Sequence, residues 1–83
     1  MAEVSVDYDR EADVLYVRLA PNAKVAKTHR LDDMRLIDYS EDGAVVGIEF
    51  IDASEGVELG GVPFARKVEQ LIGDAGLGLP VFA

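Results

Sequence analysis

Eighty-three residues with no cysteine and a single histidine exclude a disulfide framework, a cysteine-based metal site and a zinc centre needing several imidazoles from one chain. Asp and Glu number 16 against 8 Lys and Arg, and the resulting charge of −8 repels phosphates, so no nucleic-acid partner is expected. A chain this short buries only about 60–65% of its unfolded surface, so a hydrophobic fraction of 49% with no staple points to self-association, a dimer first.

Val4, Val6 and Tyr8 alternate with Ser5 and Asp7, which predicts a short half-buried strand. Asp9 to Asp13 is polar and suits a turn. Val14 to Leu19 is apolar on both faces apart from Arg18, the pattern of a central strand covered on each side. These two strands should pair antiparallel. Ala20-Pro21-Asn22-Ala23 then breaks the run, since proline cannot donate to a ladder and asparagine favours turns. Lys24 to Leu31 has β-branched residues but little to bury and reads as an exposed edge strand, its lysines discouraging stray pairing.

Asp32-Asp33 turns the chain into the strongest local signal of all. Leu36–Ser40 and Val45–Ile51 flank Glu41-Asp42-Gly43-Ala44, and Asp-Gly between alternating apolar residues marks a hairpin. Counting outward from Asp42-Gly43 as a two-residue turn pairs Glu41 with Ala44 and Asp38 with Gly47. The second arm places Val46, Ile48 and Phe50 on one face and Val45, Gly47, Glu49 and Ile51 on the other. The sum is an antiparallel β-meander of about five strands over residues 4–54, sequential neighbours pairing.

Glu55 to Gly61 reads as a glycine-rich connection. Phe64, Val68, Leu71 and Ile72 recur at helical spacing, which predicts a helix over about residues 63–73, ending near Gly73 or Gly76 and packed on the sheet. The fold class is therefore α+β, in one domain spanning residues 1–83. The tail at 77–83 is almost wholly apolar. Leu77, Leu79 and Val81 share one face of an extended segment, with Phe82 beside them, and docking along the chain's own sheet or across a subunit boundary are both open. Leu15 and Val17, on the doubly apolar strand, join these four as interface candidates.

Candidate chemistry is sparse. Asp7, Asp9 and Asp13, with Glu11, alternate along the first turn and are the candidate ligands for a hard divalent cation, but the glycine and glutamate positions of an EF-hand fall on Ala12 and Arg18. Asp38 and Glu49 stand on opposite hairpin arms, diagonal to each other, a poor arrangement for an acid–base pair. His29 lies among Thr28 and Arg30 on the exposed strand, and no serine has a histidine placed to activate it. Tyr8, Tyr16 and Tyr39 read as core-edge aromatics whose hydroxyls reach polar partners. The glycines at 56, 60 and 61 lack the lysine of a phosphate loop.

The run Tyr8–Leu19, the stretch Ile37-Asp38-Tyr39-Ser40-Glu41-Asp42-Gly43 and the block Val45–Glu49 leading to Asp52-Ala53-Ser54 together resemble the DUF2283 family of small bacterial and archaeal proteins. That family has no established activity, so the resemblance implies no catalytic residues and no cofactor. Some of its members look like the acidic half of toxin–antitoxin pairs, which implies a basic protein partner. The N-terminal stretch lacks an apolar signal region and no run is long enough to cross a bilayer, so the expectation is a cytoplasmic protein without membrane contact. Two functions compete: a non-enzymatic acidic interaction protein that self-associates, and a small metal- or ligand-binding enzyme with a dimer-boundary site drawing on Asp7, Asp9, Asp13, Asp38 and Glu49.

Overall fold

A computed structural model describes residues 4–82. Strands β1 (Ser5–Asp9), β2 (Val14–Arg18), β3 (Lys27–Asp32), β4 (Arg35–Tyr39) and β5 (Val45–Ile51) form one antiparallel sheet. A 3₁₀ turn (Ala53–Glu55), a short strand β6 (Val57–Glu58), the helix α1 (Ala65–Ala75) and a terminal strand β7 (Val81–Phe82) follow. The expected α+β class, with one C-terminal helix on a five-stranded antiparallel sheet, is what the chain adopts.

The neighbour order is not that of a meander. It is β1-β2-β5-β4-β3, so β5 lies between β2 and β4, a Greek-key arrangement. The reason is burial. A meander would put β3, exposed at five of its six positions, beside β2 in the middle of the sheet. Instead β5, buried at Val46, Gly47, Ile48 and Phe50, takes the central place and charged β3 goes to the rim. The crossing segment is tied down on its way: the N–H groups of Leu19 and Ala20 both donate to the Val46 carbonyl, and Ala26 N–H donates to Tyr39 O.

The hairpin at Gly43 has the predicted Asp38–Gly47 pairing, reached differently. Ser40 N–H donates to Ala44 O across a three-residue loop, Gly43 takes φ 88°, and a bulge between Asp38 and Tyr39 restores the register. Glu41 and Ala44 are therefore not a pair. At the β1–β2 turn, Asp9 accepts from the N–H groups of Glu11 and Ala12, and Asp13 closes the turn in the left-handed region at φ 57°.

One face of the sheet carries the core. Leu15, Val17, Ile37, Ile48 and Phe50 meet Val68 and Ile72 of α1 and Ala53, Val57, Leu59 and Val62 of the connection. Leu15 and Val17, expected at a subunit boundary, are fully enclosed here and leave no surface for one. The connection holds a strand after all. Val57 N–H donates to Pro80 O and Leu59 N–H to Phe82 O, so the apolar tail docks on its own chain as a two-residue parallel pair. Pro80 lends only a carbonyl, which suits a residue without an N–H. Leu77, Leu79 and Val81 are half-buried against the core, while Phe82 stays half exposed.

The helix ends at Gly76, left-handed at φ 64° as a C-cap glycine should be. Its start is the surprise. Phe64 was expected on the buried stripe with Val68 and Ile72; it sits outside the helix as the N-cap, left-handed at φ 56°, with 63% of its surface exposed.

Candidate functional site

The face of the sheet opposite α1 is where polar side chains are organised. Alternation sends Val14, Tyr16 and Arg18 of β2 away from the core, and the registers align them into rows across the strands. One row runs Ser5, Arg18, Gly47, Asp38, Thr28. The next runs Asp7, Tyr16, Glu49, Leu36, Arg30. A shorter one holds Asp9, Val14 and Ile51.

Two of these rows are stitched together. The Tyr16 hydroxyl donates to Asp38 Oδ2 at 2.9 Å and Thr28 Oγ1 donates to Asp38 Oδ1 at 2.6 Å. To reach Asp38 the tyrosine ring must lie over Gly47, and a Cβ built there would stand 2.5 Å from Tyr16 Cζ. Gly47 is thus an opening in an otherwise β-branched strand through which β2 and β4 touch. The Arg18 guanidinium covers the same ring, 5.3 Å from its centroid. Burial first, then the bond to Asp38, pushes the Tyr16 phenol up to about 12. At neutral pH it is a donor and not a nucleophile, and both Asp38 oxygens have donors. The row is a rigid polar platform.

A second network locks the base of the sheet. Asp13 accepts from Tyr8 Oη at 2.6 Å, Ser54 N–H at 2.9 Å and Ser54 Oγ at 2.5 Å. The Ser54 hydroxyl, followed by Tyr8, holds the Asp13 carboxyl below the usual range. A third is Arg35. Its guanidinium donates to Asp32 Oδ2 through Nη2 at 2.6 Å and Nε at 3.0 Å, and reaches the carbonyls of Glu58 and Gly60. This fork fastens the connection to the sheet, as a planar guanidinium can and an ammonium cannot.

The sequence-predicted residues separate accordingly. Asp7 lies exposed on edge strand β1, Asp9 caps the turn and Asp13 serves Tyr8 and Ser54. Among the described residues no three histidine, cysteine, aspartate or glutamate side chains gather as a cation's ligands would. Asp38 and Glu49 fall in adjacent rows, with Asp38 facing Gly47 as the spacing predicts. Tyr8 and Tyr16 do reach polar partners. Sequence reasoning missed the stitching role of Thr28 and Gly47, the Asp13–Ser54 bond and the Arg35 fork; a lone glycine inside a β-branched strand was the one available signal.

Near the β4 and β5 ends, a cleft of about 440 Å³ opens between Met34, Ile51 and Phe82, with Asp52, Glu55 and Glu58 also lining it. No helix of the described residues is long and apolar enough to cross a membrane.

An uncharacterized protein of Methanocaldococcus jannaschii is 51% identical over 53 residues, covering 64% of this chain and 44% of that protein, so less than half of the relative is spanned. No solved structure matches the chain. The model of DUF2283, described as a protein of unknown function, matches residues 5–54, which hold all five strands of the main sheet and every residue of the stitched rows. The chain belongs to the DUF2283 family.

Proposed function

We propose that this protein is a non-catalytic interaction module of the cytoplasm that self-associates and presents the open face of its sheet to a basic protein partner. The observation that carries the reading is the Tyr16–Asp38–Thr28 stitch. It fixes a half-exposed surface across four strands while every other layer of the chain packs on the opposite face. On that surface Asp7, Asp9, Asp38 and Glu49 outnumber Arg18 and Arg30, and the whole chain carries −8. Such a field speeds encounter with a cationic partner and selects against anionic ones. A tyrosine, an arginine and half-buried Val14, Leu36 and Ile51 supply the amphipathic contact that interfaces favour.

A basic toxin is one partner of this chemistry, in which case the module acts as its antitoxin-like cover. Amide chemical-shift mapping with a lysine- and arginine-rich peptide tests the docking face. Shifts concentrated on β2, β5 and β4 at Tyr16, Glu49 and Leu36, and weakened by salt, are expected. Shifts confined to the α1 side, or none, overturn it. Co-expression with the product of an adjacent gene encoding a small basic protein tests the antitoxin variant: unrelieved growth arrest rejects it.

A further inference from the structure

Phe64 breaks two rules at once. A bulky residue at φ 56° is strained, and a phenylalanine with 63% of its surface in water forgoes burial. It lines a shallow groove with Leu19, Val45 and Lys67, and Arg66 lies beside it at the start of α1. The cleft at Met34 and Phe82 has the opposite character, an apolar floor rimmed by Asp32, Asp52, Glu55 and Glu58, with the one cation, Arg35, held on Asp32.

Resting on the self-association in the reading above, we infer that the α1 side of this domain is a two-fold dimer surface, in which Phe64 of each copy enters the acidic-rimmed cleft of the other. Charge and geometry together name the occupant. Arg66 and Lys67 follow the aromatic at the start of α1, and four carboxylates against the single Arg35 guanidinium line the cleft. Val45 lines the groove and Ile51 the cleft, six residues apart along β5, or about 20 Å at strand spacing. One copy cannot bring its own two ends together. Phe64 and Lys67 at the start of α1, and Glu55, Glu58 and Phe82 of the connection and tail, all belong to the layer that covers the core face, so two copies laid antiparallel make both contacts at once and the assembly closes.

The test is the mass of the full chain by sedimentation and light scattering across the micromolar range, with circular dichroism to confirm folding. Wild type is expected to be a dimer. Phe64→Asn keeps a residue that tolerates the left-handed backbone and should raise the dimer dissociation constant at least about thirtyfold, as removal of an aromatic anchor does. Lys67→Glu and Glu58→Lys should each give monomers, and mixing the two should restore a dimer, because both contacts are again opposite in charge. A wild-type monomer overturns this surface and self-association together. A dimer indifferent to all three substitutions, or a mixture that stays monomeric, overturns the surface alone.

Discussion

Replacing Gly47 with alanine tests the platform at its narrowest point. In an ordinary strand interior this change stabilises by roughly 0.5–1 kcal/mol, because glycine gives up more backbone freedom on folding. Here the new methyl meets the Tyr16 ring, with Cζ at 2.5 Å and Cε2 at 2.8 Å. The β5 backbone is held by β2 and β4 on either side, so the ring must leave. Leaving breaks its bond to the Asp38 carboxylate, about 1.5 kcal/mol for a partly exposed charged partner, and uncouples it from Arg18, about 0.5–1 kcal/mol. The backbone gain offsets part of this, for a net loss near 1.5 kcal/mol and a fall in Tm of about 6–12 °C in a domain of this size. Urea and thermal unfolding of Gly47→Ala measure it directly. The same substitution on a Tyr16→Ala background should be neutral or stabilising, since no ring remains to displace. A Gly47→Ala protein as stable as wild type, or more so, would refute the contact.

Three further outcomes follow from the same networks. Tyr16 is raised from 10.0 to about 12, so its protonated form contributes stability below pH 10 that is lost as pH rises toward 12; alkaline unfolding should begin in that window and be blunted in Tyr16→Phe. Asp13, Asp32 and Asp42 are held low, chiefly by Ser54, Arg35 and Ser40 in turn, so stability should be level above about pH 5 and fall as the carboxylates protonate. Asp13→Asn should make that acid limb shallower in pH-dependent urea titrations; an unchanged slope would count against the latch. Ending the chain after Gly76 removes the half-burial of Leu77, Leu79 and Val81, about 1 kcal/mol each, and uncovers the N–H groups of Val57 and Leu59. A loss of about 3 kcal/mol in equilibrium unfolding is expected, and one below about 1 kcal/mol would mean the tail is not held where it lies.

Local chemistry was the legible part. Period-two alternation located β1 and β5, a run apolar on both faces located β2, β-branched residues between turn signals located β3, Asp42-Gly43 located the hairpin and with it β4, and the 3.6-residue recurrence of Val68 and Ile72 located α1. Each depends on residues within one turn or one strand of each other. The Asp38–Gly47 register came out right for a reason sequence cannot separate: a loop one residue longer than a two-residue turn is offset by a bulge one residue deep. Strand order departs from adjacency in sequence because burial outweighs it: β3 is exposed and suits the rim, while apolar β5 needs cover on both sides. β6 and β7 were hidden for a different reason, since two-residue strands have no period to detect.

The open-face platform depended on that order. Tyr16 and Asp38 are 22 residues apart, on strands that face each other across β5; a meander would set β3 between them, a strand with no glycine to let the ring pass. Once β5 is placed between β2 and β4, Gly47 stops being an anomaly in a β-branched run. It becomes the reason two strands that are not neighbours can share a hydrogen bond. Phe64 shows the converse. Its spacing from Val68 and Ile72 is that of a buried helical stripe, yet it stands outside α1 as the N-cap, in the left-handed region and turned outward. Where local pattern and observed conformation disagree this sharply, the conflict is expected at a surface selected for contact and not for the stability of the monomer.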